Sequence, residues 1–505
     1  MKSVRILLID VNRISLNTSA DMIEYPLGLL YIASALIHAF GDKVRIQIES
    51  YDDRKDTVEN LDPLLQDFNP DILGLRSLTM GRGPLHEIAG HAKKRYNIPL
   101  VIAGGPHATD SPEDVLSNQA FDAAVLGEGE ITAVDLVSHY LKNKSVKDVQ
   151  GIATRSKNGR IKISKRQRVP DPDTLPPLDY TLVDFQKINR GHVDFSFRFD
   201  VPHANIFTSR GCPYRCIYCH HIFGKKFRVH SPQRIMDEVM YLYDHYGITN
   251  FQIIDDIFNL DKARAMTFFK MVIRSGLDFT FSFPNGLRGD KVDKELIDIM
   301  WDAGVRYIAY AIETGSSRIQ KLIQKYVNLQ KLAETISLTN EKGIVTRGFF
   351  MLGFPTETEE EAMKTIEYAI ASDLTLAMFF TVVYFPGTPL YQLAKEITDM
   401  PELDLGLEDD YVQTREGPYE YSQERLLELK LQAIRDFYFS SKRLNLSEHI
   451  MPNFYNRGDI DASILVNIIS GKMNADDIED PTYAKQLSRY FLIAERFSKK
   501  SGFFV

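Results

Sequence analysis

The stretch "RGCPYRCIYCHH" (residues 210–221) holds Cys212, Cys216 and Cys219, which are all three cysteines of the 505-residue chain. An odd number of thiols gathered in one loop cannot build a disulfide framework, so the C-x3-C-x2-C spacing points to a metal site in a reducing compartment. Thiolates select zinc, copper or iron–sulfur clusters. A structural zinc site, with His220 or His221 as fourth ligand, would present two ligand pairs well separated in sequence. A cubane iron–sulfur cluster takes four cysteines. Three leave one iron without a protein ligand, open to bind a second molecule as a Lewis acid.

The sequence on either side sets the architecture. "HANIFTSRGC" (203–212) reads as a strand running into the cysteine loop. Further strands are expected at 250–256, 279–285, 307–313, 346–352 and 376–385, separated by helical stretches such as "KELIDIMWDAG". Six βα units fit a partial (β/α) barrel, whose working groups cluster at the C-terminal strand ends.

Upstream, strand patterns at 4–11, 43–51, 71–78, 99–105 and 121–130 alternate with helical ones such as 26–40, which predicts a doubly wound, Rossmann-like α/β domain. Ligands of such a sheet lie at its carboxyl edge. The strand ends there are polar or glycine-rich: "RSLT" (76–79), "GGPHAT" (104–109) and "GEGE" (127–130). No G-x-G-x-x-G follows the first strand, so a dinucleotide is not expected. Between the two series, 151–195 reads as a hairpin with Asn158-Gly159 in a two-residue turn, followed by a Pro-rich linker. After 401 the chain turns helical, with Ser422 as a helix cap. The expected division is therefore 1–140, 141–195, 196–400 and 401–505.

A net charge of −8 offers no basic footprint for nucleic acid. The longest apolar run, "LTLAMFFTVVYF" (374–385), falls short of the ~20 residues of a spanning helix. "MKSVRILLID" has no signal-peptide pattern. A cytoplasmic protein without membrane or nucleic-acid partners is expected.

With Tyr218 before its last cysteine, the loop resembles the signature of the radical S-adenosylmethionine (SAM) superfamily. That resemblance implies a [4Fe-4S] cluster on Cys212, Cys216 and Cys219, with SAM on the open iron, cleaved on reduction to a 5′-deoxyadenosyl radical. It also implies methionine amino contacts from Asp255 and Asp256 in "IIDDIF" and ribose contacts from Glu313 in "AIETGS". Gly353 and Pro355 of "GFFMLGFPTET" are implied near adenine, and Asn285 is a further candidate. The plainer readings are that the aspartates cap a helix, Glu313 is a surface acid and the Gly-Phe-Pro turn bends the chain.

The first domain, through "EYPLGLLYIASAL" (24–36), "GGPHAT" and "GEGE", resembles the cobalamin-binding domain of the cobalamin-dependent radical SAM enzymes. Cofactor contacts are implied at Ser77, Gly104, Gly105, His107, Gly127, Glu128 and Gly129. "DVNRIS" (10–15) carries Asn12 and Ser15 where a D-x-H-x-x-G motif has its cobalt-ligating histidine, so binding without that ligand is expected. His107 is assigned to the corrin periphery, and Arg76 or Leu78 to the lower face of the ring. The resemblance implies methylation of an unactivated carbon on a small-molecule or peptide substrate, with flavodoxin or ferredoxin as electron donor. The alternatives are a cyclisation or rearrangement, as in the porphyrin-cyclase branch, and a non-catalytic zinc or electron-transfer protein. The region 401–505 is expected to cover the barrel mouth.

Overall fold

The computed structural model describes residues 3–12, 26–52, 56–143, 146, 148–185, 203–398, 416–438, 440, 442 and 445. Ser15, the Asn12 side chain and most of 401–505 lie outside the described residues.

The first sheet contains β1 (Val4–Asn12), β2 (Val44–Asp52), β3 (Ile72–Ser77), β4 (Leu100–Gly104) and β5 (Ala123–Val125). They are parallel, in the order β2-β1-β3-β4-β5. Side chains alternate across a strand, and each side has its own core. Ile6 and Leu8 pack with helices Leu27–Phe40 and Glu130–Asn143, whereas Leu7 and Ile9 pack with Leu65, Leu85, Ile88 and Val115 on the other side. The order reverses between β1 and β3, which places the ligand crevice at the carboxyl ends of those strands.

The hairpin β6 (Ile152–Arg155) and β7 (Ile161–Ile163) extends this sheet antiparallel beyond β5. Its turn is wider than the two-residue form expected. The Ser156 amide donates to the Arg160 carbonyl at 2.8 Å, which leaves residues 157–159 as the loop. A type I′ turn needs positive φ at both central residues, and only Gly159 has it (81°). The Pro-rich stretch beyond is docked on the barrel: Val169, Leu175, Leu178, Tyr180 and Phe185 join its core, and Arg234 donates to the Pro176 carbonyl at 2.8 Å.

The second sheet is six-stranded and wholly parallel. It comprises β8 (His203–Ile206), β11 (Asn250–Ile253), β12 (Thr280–Leu287), β13 (Val305–Glu313), β14 (Val345–Leu352) and β15 (Leu376–Thr381), in spatial order β15-β14-β13-β12-β11-β8. The short pair β9 (Ser209–Arg210) and β10 (Arg228–Val229) stands apart and closes the cysteine loop. Polar caps start the intervening helices, among them Ser231, Asp261, Asp293 and Asn328, each accepting a backbone N–H three residues on. Gly304 (φ 93°) has no room for a side chain, since a Cβ there would stand 1.9 Å from the Phe279 carbonyl oxygen. Helix Gln423–Tyr438, capped by Ser422 as expected, buries Leu426, Leu429 and Phe437 in the barrel core. It anchors to β15 through Tyr438, whose hydroxyl donates to the Ala377 carbonyl at 2.8 Å.

The two units share a buried ionic clamp. Arg210 of β9 reaches Glu128 at 3.2 Å and Glu130 at 2.6 Å, and Arg228 of β10 pairs with Glu128. All four side chains are almost wholly buried. Arg210 also lies over Tyr31 (4.6 Å) and Phe223 (5.3 Å). Removing one partner of a buried pair strands the other's charge, at a cost of about 3–5 kcal/mol. Glu128→Ala is therefore expected to lower unfolding stability on that scale in urea. Lys294→Ala, which breaks the exposed Lys294–Asp298 pair, should cost under about 1 kcal/mol. Equal urea midpoints for the two variants would contradict the clamp.

Candidate functional site

The cysteine loop leaves β9 at Gly211, whose φ of 83° is available to glycine and whose missing Cβ would lie 2.5 Å from the Lys226 carbonyl oxygen. The loop folds back on itself: the Cys212 amide donates to the Gly224 carbonyl at 3.2 Å and that of Cys219 to Cys216 at 3.3 Å. All three thiols are free, with Cys216 buried, Cys212 half-buried and Cys219 exposed. His220 is paired with Asp110 of the first domain at 2.5 Å, and His221 is bonded to Lys225. Burial and the Lys225 charge hold the His221 imidazole down at about 4. A single zinc gathers its ligand atoms around one ion, and among the described residues the three thiols and these histidines form no such group, which suits a three-cysteine cluster better than zinc.

The structure separates the paired aspartates. Asp255 is buried, and its carboxylate accepts from the Thr208 amide (2.6 Å), the Thr208 hydroxyl and the Ser209 hydroxyl (2.6 Å). Its oxygens are committed to the run-up of the cysteine loop, so the expected contact with the SAM amino group does not fit Asp255. Among the described residues Asp256 accepts only the Gly211 amide, at 3.2 Å. Solvent reaches it, yet protein rings it; loss of hydration and then the Asp255 charge push it up to about 6. Asn285 is exposed at the same rim and donates to the Ile254 carbonyl at 2.7 Å.

Glu313 ends β13 with a φ of 71°, a conformation uncommon for any residue but glycine. It is buried, and one oxygen accepts from Tyr218 and from Lys325, both at 3.0 Å. The surface-acid reading fails on that burial. Gly353 has a φ of 91° and donates to Glu357 at 2.6 Å, while Tyr384 donates to its carbonyl at 2.6 Å. Pro355 is buried beside it. Glu357 also accepts from Tyr421 at 2.6 Å, and burial raises its carboxyl to about 7.

At the edge of the first sheet, Ser77 is buried with no partner for its hydroxyl among the described residues, and Leu78 is 39% exposed. Gly105, at φ 83°, has the Arg76 side chain where a Cβ would be, and Arg76 is held by Asp10 at 2.7 Å. An unsatisfied hydroxyl, an exposed leucine and a flat glycine pair make an edge suited to a broad, partly apolar ring. Two expected contacts fall elsewhere. Glu128 is consumed by the clamp, because its partners sit 82 and 100 residues on and bury it completely. His107 is buried and directed at Asp114 (2.9 Å), which His86 also approaches at 3.2 Å. Gly127 faces the cysteine loop, its missing Cβ 3.6 Å from the Ile222 carbonyl oxygen, and Gly129 abuts Ile32. Gly104 ends β4, half-buried. Lys325, Arg288, Arg210 and Glu357 were not singled out as site residues from the sequence. "SRGC" and "PTET" flag Arg210 and Glu357 by adjacency, whereas nothing local marks the other two.

Residues 206–369 match the Radical SAM superfamily and residues 15–137 the B12 binding domain family. The chain belongs to the cobalamin-dependent radical SAM enzymes. It is 30% identical over 373 residues to an uncharacterized methyltransferase of Pyrococcus horikoshii, covering 73% of this chain and 78% of that one. It is 29% identical over 413 residues to cytidylyl-2-hydroxyethylphosphonate methyltransferase of Streptomyces wedmorensis, covering 72% and 77%. An anaerobic magnesium-protoporphyrin IX monomethyl ester cyclase of Cereibacter sphaeroides is 25% identical over 387 residues, covering 75% and 62%. The fold is shared with the radical SAM methyltransferase TsrM from Kitasatospora setae (TM-score 0.65, 17% identity, 99% and 100% covered) and with the cobalamin-dependent enzyme OxsB (0.64, 15%, 98% and 84%).

Asp256→Asn is expected to weaken SAM binding about tenfold without lowering thermal stability, since burial already disfavours the charge it removes. Asp255→Asn, by orphaning buried donors, should instead lose about 1–3 kcal/mol of stability. Equilibrium dialysis and thermal melts distinguish the two; identical profiles would contradict the division of roles. Glu357 makes a second prediction. Its folded-state carboxyl sits above its ordinary value, so its contribution to stability is full below about 4.5 and is lost as pH rises through about 7. The melting temperature of Glu357→Gln should therefore change less between those pH values than that of the wild type.

Proposed function

We propose that the chain is a cobalamin-dependent radical SAM methyltransferase acting on an unactivated carbon of a small molecule. The observation that carries this reading is the clamp. Arg210, two residues before Cys212, is tied to Glu128 in the loop after β5 and to Glu130 at the start of helix Glu130–Asn143, so the cysteine loop and the carboxyl edge of the first sheet face each other. When bound, the cluster and SAM supply hydrogen abstraction and cobalamin supplies the methyl group.

The chain's own residues bind, orient and screen. Cys212, Cys216 and Cys219 hold the cluster, and Asp255 fixes the loop that presents them. Asp256 takes the ammonium of SAM, since a carboxylate accepts what an ammonium donates. Glu313 takes the ribose hydroxyls, and the turn at Gly353 and Pro355 lines the adenine. Ser77, Leu78 and the Gly104-Gly105 pair receive the corrin, with Arg76 of β3 held by Asp10 of the adjacent β1. The apolar side chains around the loop, Ile217 and Phe354 among them, exclude water from the reacting groups. A one-electron protein such as flavodoxin or ferredoxin supplies the reducing equivalent. Among the described residues no helix is long and apolar enough to cross a membrane.

The likeness to the anaerobic cyclase favours one rival, a radical cyclisation on the same cofactors. Stoichiometry decides between them: methylation consumes two SAM per product and adds one carbon, whereas cyclisation adds none. Anaerobically reconstituted protein is expected to keep cobalamin through gel filtration and to release 5′-deoxyadenosine from SAM on reduction. Cys216→Ala should abolish that release and leave cobalamin bound. Wild-type protein that cleaves SAM but never retains cobalamin would refute methyl transfer.

A further inference from the structure

Lys325 is the one lysine among the described residues bonded to the group that holds Glu313 and Tyr218 together. Its ammonium donates to Glu313 at 3.0 Å and to the Tyr218 hydroxyl at 3.1 Å, and it is almost fully buried. An ammonium has three donors, so one N–H is left uncommitted among the described residues. Tyr218 immediately precedes Cys219, and Ile217 before it donates its amide to the Ile323 carbonyl at 3.0 Å. The lysine segment and the cysteine loop are thus bonded to each other along their backbones.

The backbone around Lys325 is held in an unfavourable shape. Gln324 and Tyr326 both have left-handed φ, 55° and 52°. Arg288 grips the carbonyls of Lys325 at 2.9 Å and Tyr326 at 2.8 Å, and its guanidinium lies 3.9 Å from the Tyr214 ring within the cysteine loop. Two left-handed residues around one buried cation, locked by an arginine that also stacks on the cysteine loop, is strain of the kind kept at working sites. Burial is the largest single influence and disfavours the charged amine, but the neighbouring negative groups, Glu313 foremost, together offset it and hold Lys325 above the ordinary lysine value.

We propose that Lys325 is a positioning residue that raises the midpoint potential of the cluster on Cys212, Cys216 and Cys219. The inference rests on the cluster assigned above. Reduction adds one electron, taken from the one-electron protein donor, and makes the cluster more negative. A fixed neighbouring cation favours that form, because cluster potentials follow local charge and hydrogen bonding. No proton or covalent bond changes at Lys325. It also fixes Tyr218 and Glu313, so anchoring and electrostatics must be told apart by experiment.

The test is a potentiometric titration of the anaerobically reconstituted, SAM-free protein, followed by electron paramagnetic resonance. Lys325→Met is expected to make reduction about tenfold less favourable, a midpoint lower by about 59 mV. Lys325→Arg, which keeps the charge, should titrate like the wild type. In a Glu313→Gln background, Lys325→Met should still lower the midpoint. A shift that vanishes there would show that the lysine acts only by anchoring Glu313, and an unshifted Lys325→Met would sink the inference outright. If Lys325→Met does not hold iron and sulfide, Lys325→Gln takes its place with the same expectation. Wild-type protein that assembles no cluster overturns instead the assignment of the three cysteines.

Discussion

A single buried carboxylate holds the molecule's two halves in register. Glu128 leaves the first sheet after β5 and accepts charge-assisted hydrogen bonds from arginines on either side of the cysteine loop. Such bonds are strong because donor and acceptor are both ionised, and they are directional because the guanidinium is planar. An ion pair this dry adds little net stability over an apolar contact, but it penalises every misregistered arrangement of its partners. Its contribution is therefore geometric. It ties the loop that carries the thiols to the domain that carries the second crevice.

The strands of both sheets were legible because each is a short apolar run bounded by turn residues, and a parallel sheet buries such runs on both faces. Local punctuation also located the helices, as Ser422 illustrates. Where the reading slipped, non-local partners were the cause. Glu128 looked like a ligand contact because "GEGE" sits at a strand end, and the arginines that claim it lie in another domain. Asp255 and Asp256 are neighbours in sequence, yet the fold buries one and leaves the other at the rim. The turn at Asn158-Gly159 failed for a local reason, the closure made by Ser156. Lys325 had no signal at all, since a lysine in "IQKYV" reads as solvated until β13 and the cysteine loop are brought against it.

The strained positions of the second unit are unevenly placed. Glu313, Gln324, Tyr326 and Thr356 all have positive φ without being glycine. The first three surround the hydrogen bonds of Tyr218, and the last follows the turn at Gly353. Elsewhere in the described chain only Asn69 and Asn97 share that conformation, both ending helices, where asparagine is tolerated. The surrounding structure over-determines the site: Arg288, Arg318 and Glu357 each hold a carbonyl or an amide of a strained segment in place.

Helix Leu27–Phe40 carries a consequence for motion. It belongs to the first sheet, yet Leu27, Leu30 and Tyr31 are buried in the same apolar cluster as the barrel strands. Domains joined by a small polar contact swing against each other, whereas a large hydrophobic interface suppresses such swings. This chain has a shared apolar core and a desolvated ion pair at one seam. A hinge opening at that seam would have to expose the apolar side chains of Leu27, Leu30 and Tyr31 and strip Glu128 of both its arginines, so it carries a cost that a wet, polar joint would not.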